Sequence, residues 1–168
     1  EILAVNDSIL ADEDGEFSDW IEIHNPDPTS VSLVGYHLTD DATNLSKWTF
    51  PAVTISPGGY LVVFASNKDR TDPSSELHTN FRLSSGGEYL AMVEPDGTTI
   101  ASEFTPTYPP QFADESFGFG TPGASGNIDI TPAWNSPGNY YNVQLSGVQS
   151  ATLEATADSI DAPLAGSQ

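Results

Sequence analysis

Trp20-Ile21-Glu22-Ile23-His24, followed by Asn25-Pro26-Asp27-Pro28, decides the fold class. Ile21 and Ile23 alternate with Glu22 and His24, the period of two expected of a strand with one buried face. Pro26 and Pro28 lack the N–H a ladder needs, so the chain turns there. The same signature recurs downstream. Residues 31–38 form a second run, in which Gly35 is expected to mark a bulge where the alternation changes face. Lys47-Trp48-Thr49-Phe50 is halted by Pro51, and Val53-Thr54-Ile55 by Pro57-Gly58-Gly59. Residues 60–65 are nearly all apolar and read as a central strand covered on both faces. Phe81 and Leu83 alternate with Asn80 and Arg82. Residues 89–94 and 98–104 flank Pro95-Asp96-Gly97 as the arms of a hairpin.

Nothing in the chain reads as an amphipathic helix, because prolines recur and helix formers do not cluster. Residues 66–77 are a polar loop with room for one short helical turn. About eight or nine short strands at regular spacing predict an all-β fold, an antiparallel sandwich. Trp20, Trp48, Tyr60 and Tyr89 are the expected aromatic core.

The 168 residues are enough for one domain with a small appendage. They carry 24 Asp and Glu against 4 Lys and Arg, for a formal charge of −20. Phosphate binding needs clustered cations, so a general nucleic-acid surface is excluded, and docking on anionic lipid is disfavoured. With no Cys, a disulfide framework, a thiolate zinc site and a cysteine nucleophile are all ruled out. All four cations, Lys47, Lys68, Arg70 and Arg82, fall between positions 47 and 82. The longest apolar stretch, residues 61–65, is far too short to span a bilayer. The first residues lack both an initiator Met and a basic n-region, and we expect a piece of a longer protein. Acidity of this degree suits a surface exposed to high salt, where like-charge repulsion is screened.

Thr121-Pro122-Gly123-Ala124-Ser125-Gly126-Asn127 has the composition of a linker. The expected organisation is a sandwich over residues 1–121, a linker over 122–127, and a strand-containing extension over 128–168 that either packs on the sandwich or begins a following domain. In that extension Ile128-Asp129-Ile130 and residues 140–145 look strand-like, and Trp134, Tyr140 and Tyr141 are available for packing or for stacking on sugar rings.

Several phrases, in this order and spacing, resemble the lamin tail domain as it occurs in bacterial multidomain proteins. They are Glu1-Ile2-Leu3-Ala4-Val5-Asn6, Ala11-Asp12-Glu13-Asp14-Gly15-Glu16-Phe17-Ser18-Asp19-Trp20-Ile21-Glu22-Ile23-His24-Asn25, Leu33-Val34-Gly35-Tyr36-His37-Leu38-Thr39-Asp40-Asp41, Lys47-Trp48-Thr49-Phe50-Pro51, Pro57-Gly58-Gly59-Tyr60-Leu61-Val62-Val63-Phe64-Ala65-Ser66 and residues 77–90. With Thr121-Pro122-Gly123-Ala124 as the exit, the resemblance covers roughly three quarters of the chain. It implies an immunoglobulin-like sandwich acting as an accessory module in exported or surface proteins. It carries over no catalytic residue.

Asp12-Glu13-Asp14-Gly15-Glu16 with Asp19 places five carboxylates within eight residues. Calcium takes roughly six to eight oxygens, and a Gly lets such a loop turn sharply. Asp12, Asp14, Glu16 and Asp19 are therefore the candidate calcium ligands. The EF-hand spacing is absent, and a solvated turn is the competing reading. Asp40-Asp41 reads as a turn whose side chains bond nearby amides. His24, His37 and His78 lie 13 and 41 residues apart, which matches no zinc pattern. His24 and His37 read as strand-face residues, and His78 as a structural hydrogen-bonding group. No Gly-x-Ser-x-Gly elbow or phosphate-cradling Gly loop is present. No cofactor is required, and calcium is the candidate ion. The chain is expected to be a non-catalytic interaction module of a larger exported bacterial protein, extracellular or at the cell surface. Its partner would be another protein or a neighbouring domain. The alternative is a calcium-stabilised adhesion or carbohydrate-binding module with a glycan as partner.

Overall fold

The computed structural model describes residues 1–118. Among them every regular element is a strand: β1 (Ile2–Leu3), β2 (Trp20–His24), β3 (Val31–Ser32), β4 (His37–Thr39), β5 (Trp48–Thr49), β6 (Thr54–Ile55), β7 (Tyr60–Phe64), β8 (Leu77–His78), β9 (Leu90–Val93) and β10 (Ile100–Phe104). The expected linker 122–127, the extension 128–168 and the aromatics Trp134, Tyr140 and Tyr141 lie outside the described residues.

One sheet has the order β1-β2-β7-β8, a second β10-β9-β4-β5, and β3 pairs with β6 in a third. All pairs are antiparallel except β7 with β8. The two larger sheets stack, because their alternating apolar positions share one core. Ile2, Ile21, Val63 and Leu77 from the first meet Leu38, Trp48, Leu90 and Phe104 from the second. Trp48 is 2% exposed and packs edge-on against Phe50, ring centres 4.9 Å apart. Truncating such a residue to Ala costs about 3–5 kcal/mol.

The hairpin at Pro95-Asp96-Gly97 forms as expected. Gly97 N–H donates to Glu94 O at 2.9 Å, and the Asp96 carboxylate accepts from the N–H groups of Thr98 and Thr99, each at 2.8 Å. Residues 31–38 differ from expectation. They are two strands in two sheets, and Gly35 marks no bulge. Tyr36 N–H donates to Leu33 O at 3.0 Å and Gly35 has φ +79°. Leu33-Val34-Gly35-Tyr36 is thus a turn with its third residue left-handed, which Gly supplies without a Cβ clash. Phe81 and Leu83 are buried in the core as their alternation predicts, but residues 80–83 form only an isolated bridge, Ser66 to Arg82.

β7 is an interior strand, as its apolar run implies, yet its cover is uneven. Tyr60 is 62% exposed and stacks on His24 across the β2–β7 pair at 4.4 Å. Tyr60 is therefore a surface residue and not part of the expected core. Trp20 and Trp48 are buried, and Tyr89 is half-buried. No helical turn forms in residues 66–77. Backbone bonds from Asn67 to Phe81, Asp69 to Thr79 and Arg70 to His78 zip residues 67–70 against 78–81.

Candidate functional site

The acidic loop joins β1 to β2, and buried side chains shape it. Asn6 is 5% exposed, donates to Leu10 O and Ser18 O at 2.7 Å each, and accepts from the N–H groups of Ile9 and Leu10. Asp114 accepts from the N–H groups of Asp7 and Ser8 at 2.7 and 3.0 Å. Asp12 closes a tight turn: its Oδ1 accepts from Asp14 N–H and Glu16 N–H, and its Oδ2 accepts from the Ser18 hydroxyl at 3.0 Å. An Asp whose carboxylate bonds its own downstream amides is a standard way to build such a loop.

Three of the four candidate ligands come together. One carboxylate oxygen each from Asp12, Asp14 and Glu16 lies within 4.8 Å of the others. Between them sits the Lys68 ammonium, 2.6 Å from Asp12, 2.7 Å from Asp14 and 3.0 Å from Glu16. Arg70 adds contacts of 2.7 Å each to Glu13 and Asp14. The sequence did not point to Lys68 or Arg70 as members of this cluster. Lys68 is 56 positions from Asp12, and only the confinement of all four cations to positions 47–82, with Lys68 and Arg70 two apart, could have signalled it. Burial pushes the Asp12 carboxyl up, but the bonds from Lys68, Glu16 N–H, Ser18 and Asp14 N–H outweigh this and hold it at about 2. Burial likewise lowers Lys68, and its three carboxylate partners more than reverse that.

Asp19 stands apart from this group. It is half-buried, and burial raises its carboxyl to about 6 against bonds from the N–H groups of Asn6 and Leu83 and the charge of Arg82. Asp41 accepts from Thr43 N–H at 2.8 Å and its hydroxyl at 2.7 Å, a turn as read from the sequence. Asp40 pairs with Lys47 at 2.6 Å.

The loop lies over the outer face of the first sheet. Leu3, Trp20 and Phe64 alternate away from the main core and form a second buried cluster. His78, fully buried, stacks on Phe64 at 5.3 Å and shares a 2.8 Å hydrogen bond between its Nδ1 and the Ser66 hydroxyl. Glu13 Oε1 is 4.0 Å from His78 Nε2. Burial, then the Lys68 charge, lowers the His78 pKa and keeps the ring neutral. Ser66, His78 and Glu13 thus line up a hydroxyl, an imidazole and a carboxylate. Ser66 is 5% exposed and His78 is fully enclosed, so this line presents no hydroxyl to a substrate. His37 Nδ1 bonds the Thr49 hydroxyl at 2.9 Å across β4–β5, and His24 faces outward on β2, so both are strand-face residues. The three histidines do not converge.

With this geometry in place, the comparison with known families is decisive: the model of the lamin tail domain matches residues 6–106. The chain belongs to the lamin tail domain family. No curated protein and no solved structure matches it. The matched span of the lamin tail domain begins at Asn6, which organises the acidic loop, and contains Lys68 and every strand from β2 to β10. The two stacked sheets are the immunoglobulin-like sandwich of that family. Lamin tail domains are generally protein-interaction modules and are not known as enzymes.

Proposed function

We propose that this lamin tail domain is a non-catalytic interaction module of a larger exported bacterial protein, extracellular or at the cell surface, that contacts a neighbouring domain or a partner protein. One observation carries it. The loops clamped by Asn6 and Asp114 are hydrogen-bonded in place, yet Ile9, Phe17 and Phe112 are 57%, 47% and 61% exposed. Exposed apolar side chains carried on loops that are held in place are what a contact surface requires. The acidity supports a setting outside the cell. A photo-cross-linking residue at position 17 or 112 of the secreted polypeptide tests this. Cross-links to a defined peptide of another domain or protein are expected. Labelling of solvent alone would refute the interaction role.

The alternative, a calcium-stabilised adhesion or carbohydrate-binding module, is favoured by the convergence of Asp12, Asp14 and Glu16 within 4.8 Å. In this arrangement Ca²⁺ must displace the Lys68 ammonium, which already supplies the positive charge. We therefore rank it second, and melting with and without calcium decides it.

A further inference from the structure

Among the described residues, β7 has half of one edge unpaired. Ala65 N–H donates to Asp19 O at 2.7 Å and Asn25 N–H to Gly59 O at 2.9 Å, so the odd-numbered positions from 59 to 65 turn their amides toward β2. Even-numbered positions turn theirs the other way, as the bond from Thr79 N–H to Phe64 O confirms. On that side β8 begins only opposite Val63, with registers Val63 to Leu77 and Phe64 to His78. Before Leu77 the chain bends off, with Ser75 N–H donating to Asp72 O at 3.1 Å. The Val62 N–H and both main-chain groups of Tyr60 therefore face a gap in the sheet.

The gap opens into a shallow groove of about 540 Å³. Val53, Leu61, Val62 and Leu77 give it apolar walls, and Glu13 and Glu76 stand at its rim. An unpaired strand edge beside apolar pockets is the arrangement by which sheets accept an added strand. The charge of the occupant follows from the rest of the surface. Lys47, Lys68 and Arg70 are all held by carboxylates of the same chain, and Arg82 donates to Ser66 O. Little cationic charge is left to offset the chain's −20.

We propose that the groove beside Tyr60 and Val62 binds an extended, basic peptide segment of a partner protein, which pairs with the open edge of β7, seats alternate apolar side chains against Val53, Leu61 and Leu77, and places Lys or Arg near Glu13 and Glu76. This rests on the interaction role proposed above and names one surface for it.

The probe is an acetylated, amidated (Lys-Val)₄ peptide titrated into the ¹⁵N-labelled chain at low and at 0.5 M salt. The control is (Lys-Pro)₄, which has the same charge, lacks every second N–H and replaces the apolar Val side chains by rings that disfavour strand pairing. With (Lys-Val)₄, amide shifts are expected at positions 60–62 and 74–77, and hydrogen exchange at Val62 should slow by about tenfold at saturation. Glu76→Gln keeps the acceptor for Glu13 N–H while removing the charge, and should weaken binding about two- to fivefold at low salt. Val62→Pro deletes the groove-facing N–H and should abolish the shifts while the rest of the spectrum stays folded. If Val62→Pro unfolds, Glu76→Gln and the Lys-Pro control still decide the matter. Equal shifts from (Lys-Pro)₄, or no shift at 60–62, would overturn the groove. Shifts confined to Ile9, Phe17 and Phe112 would overturn it too while leaving the interaction role standing.

Discussion

Lys68 Nζ lies 2.6 Å from Asp12 Oδ2, in a pair where the Asp12 side chain is fully enclosed and that of Lys68 is 17% exposed. The contact closes the β1–β2 loop onto the segment that follows β7, and it places an ammonium where three carboxylates converge. Removing the cation leaves a buried carboxylate with its hydrogen bonds from Asp14 N–H, Glu16 N–H and Ser18 but without a counter-ion, which is the costly way to break an ion pair.

Lys68→Met should therefore destabilise the domain by about 2–3 kcal/mol, less than the ~3–5 kcal/mol of a wholly buried pair because the Lys68 side chain keeps some contact with water. Without the ammonium, millimolar calcium should raise the melting temperature of the variant and leave the wild type unmoved relative to EDTA. A wild-type curve that rises with calcium would show the ion outcompeting Lys68 and restore the calcium-stabilised alternative.

Stability should depend on pH through two aspartates of opposite sign. The Asp12 carboxyl is depressed from 3.8 to about 2, so its contribution is complete above pH 4 and is lost as pH falls toward 2. Asp19 is raised from 3.8 to about 6, so ionising it costs the folded state increasingly as pH rises from 4 to 6. Asp19→Asn should thus be neutral near pH 4 and stabilising at pH 7 by on the order of 1–2 kcal/mol, allowing for its partial exposure. Urea titrations of both proteins at the two pH values measure this, and an equal difference at both would refute the assignment.

Asn6→Ala strips four hydrogen bonds from the loop and leaves the carbonyls of Leu10 and Ser18 short of a donor. A loss of about 2–4 kcal/mol is expected, on the scale of leaving buried polar groups unpaired. Amide exchange in residues 7–18 should accelerate well before that in β7 or β9. Uniform acceleration across the domain would mean that the loop does not open as a separate unit.

Gly87 has φ +90°, and a Cβ there would stand 2.2 Å from the carbonyl oxygen of Tyr108. Gly35 has φ +79° but a Cβ there would meet only the Pro95 ring, at 3.4 Å from its Cβ and 3.8 Å from its Cγ. Gly35→Ala should cost about 1–2 kcal/mol from backbone strain alone. Gly87→Ala adds a main-chain clash and should cost clearly more. Equal denaturation midpoints for the two variants would contradict this.

The β-rich class, the hairpin at Pro95-Asp96-Gly97 and the burial of Trp20 and Trp48 were all legible in the sequence, because alternation and turn chemistry are local. The same local rules erred at Gly35, where a left-handed glycine can serve a bulge or a turn, and only the bond from Tyr36 to Leu33 chooses between them. They erred at Tyr60, whose apolar run says nothing about how far the neighbouring strand extends. The acidic loop was visible as a cluster, and Asp12, Asp14 and Glu16 do converge, but Asp19 does not join them.

What the order of residues determined alone is the period of two, the turns that interrupt it, the net charge and the likeness to the lamin tail domain. Where Lys68 goes, which edge of β7 stays open and how His78 comes to lie under Glu13 were decided only in three dimensions. Each depends on contacts between positions 14 to 65 apart, and sheet pairing sets those distances while no short stretch of sequence encodes them.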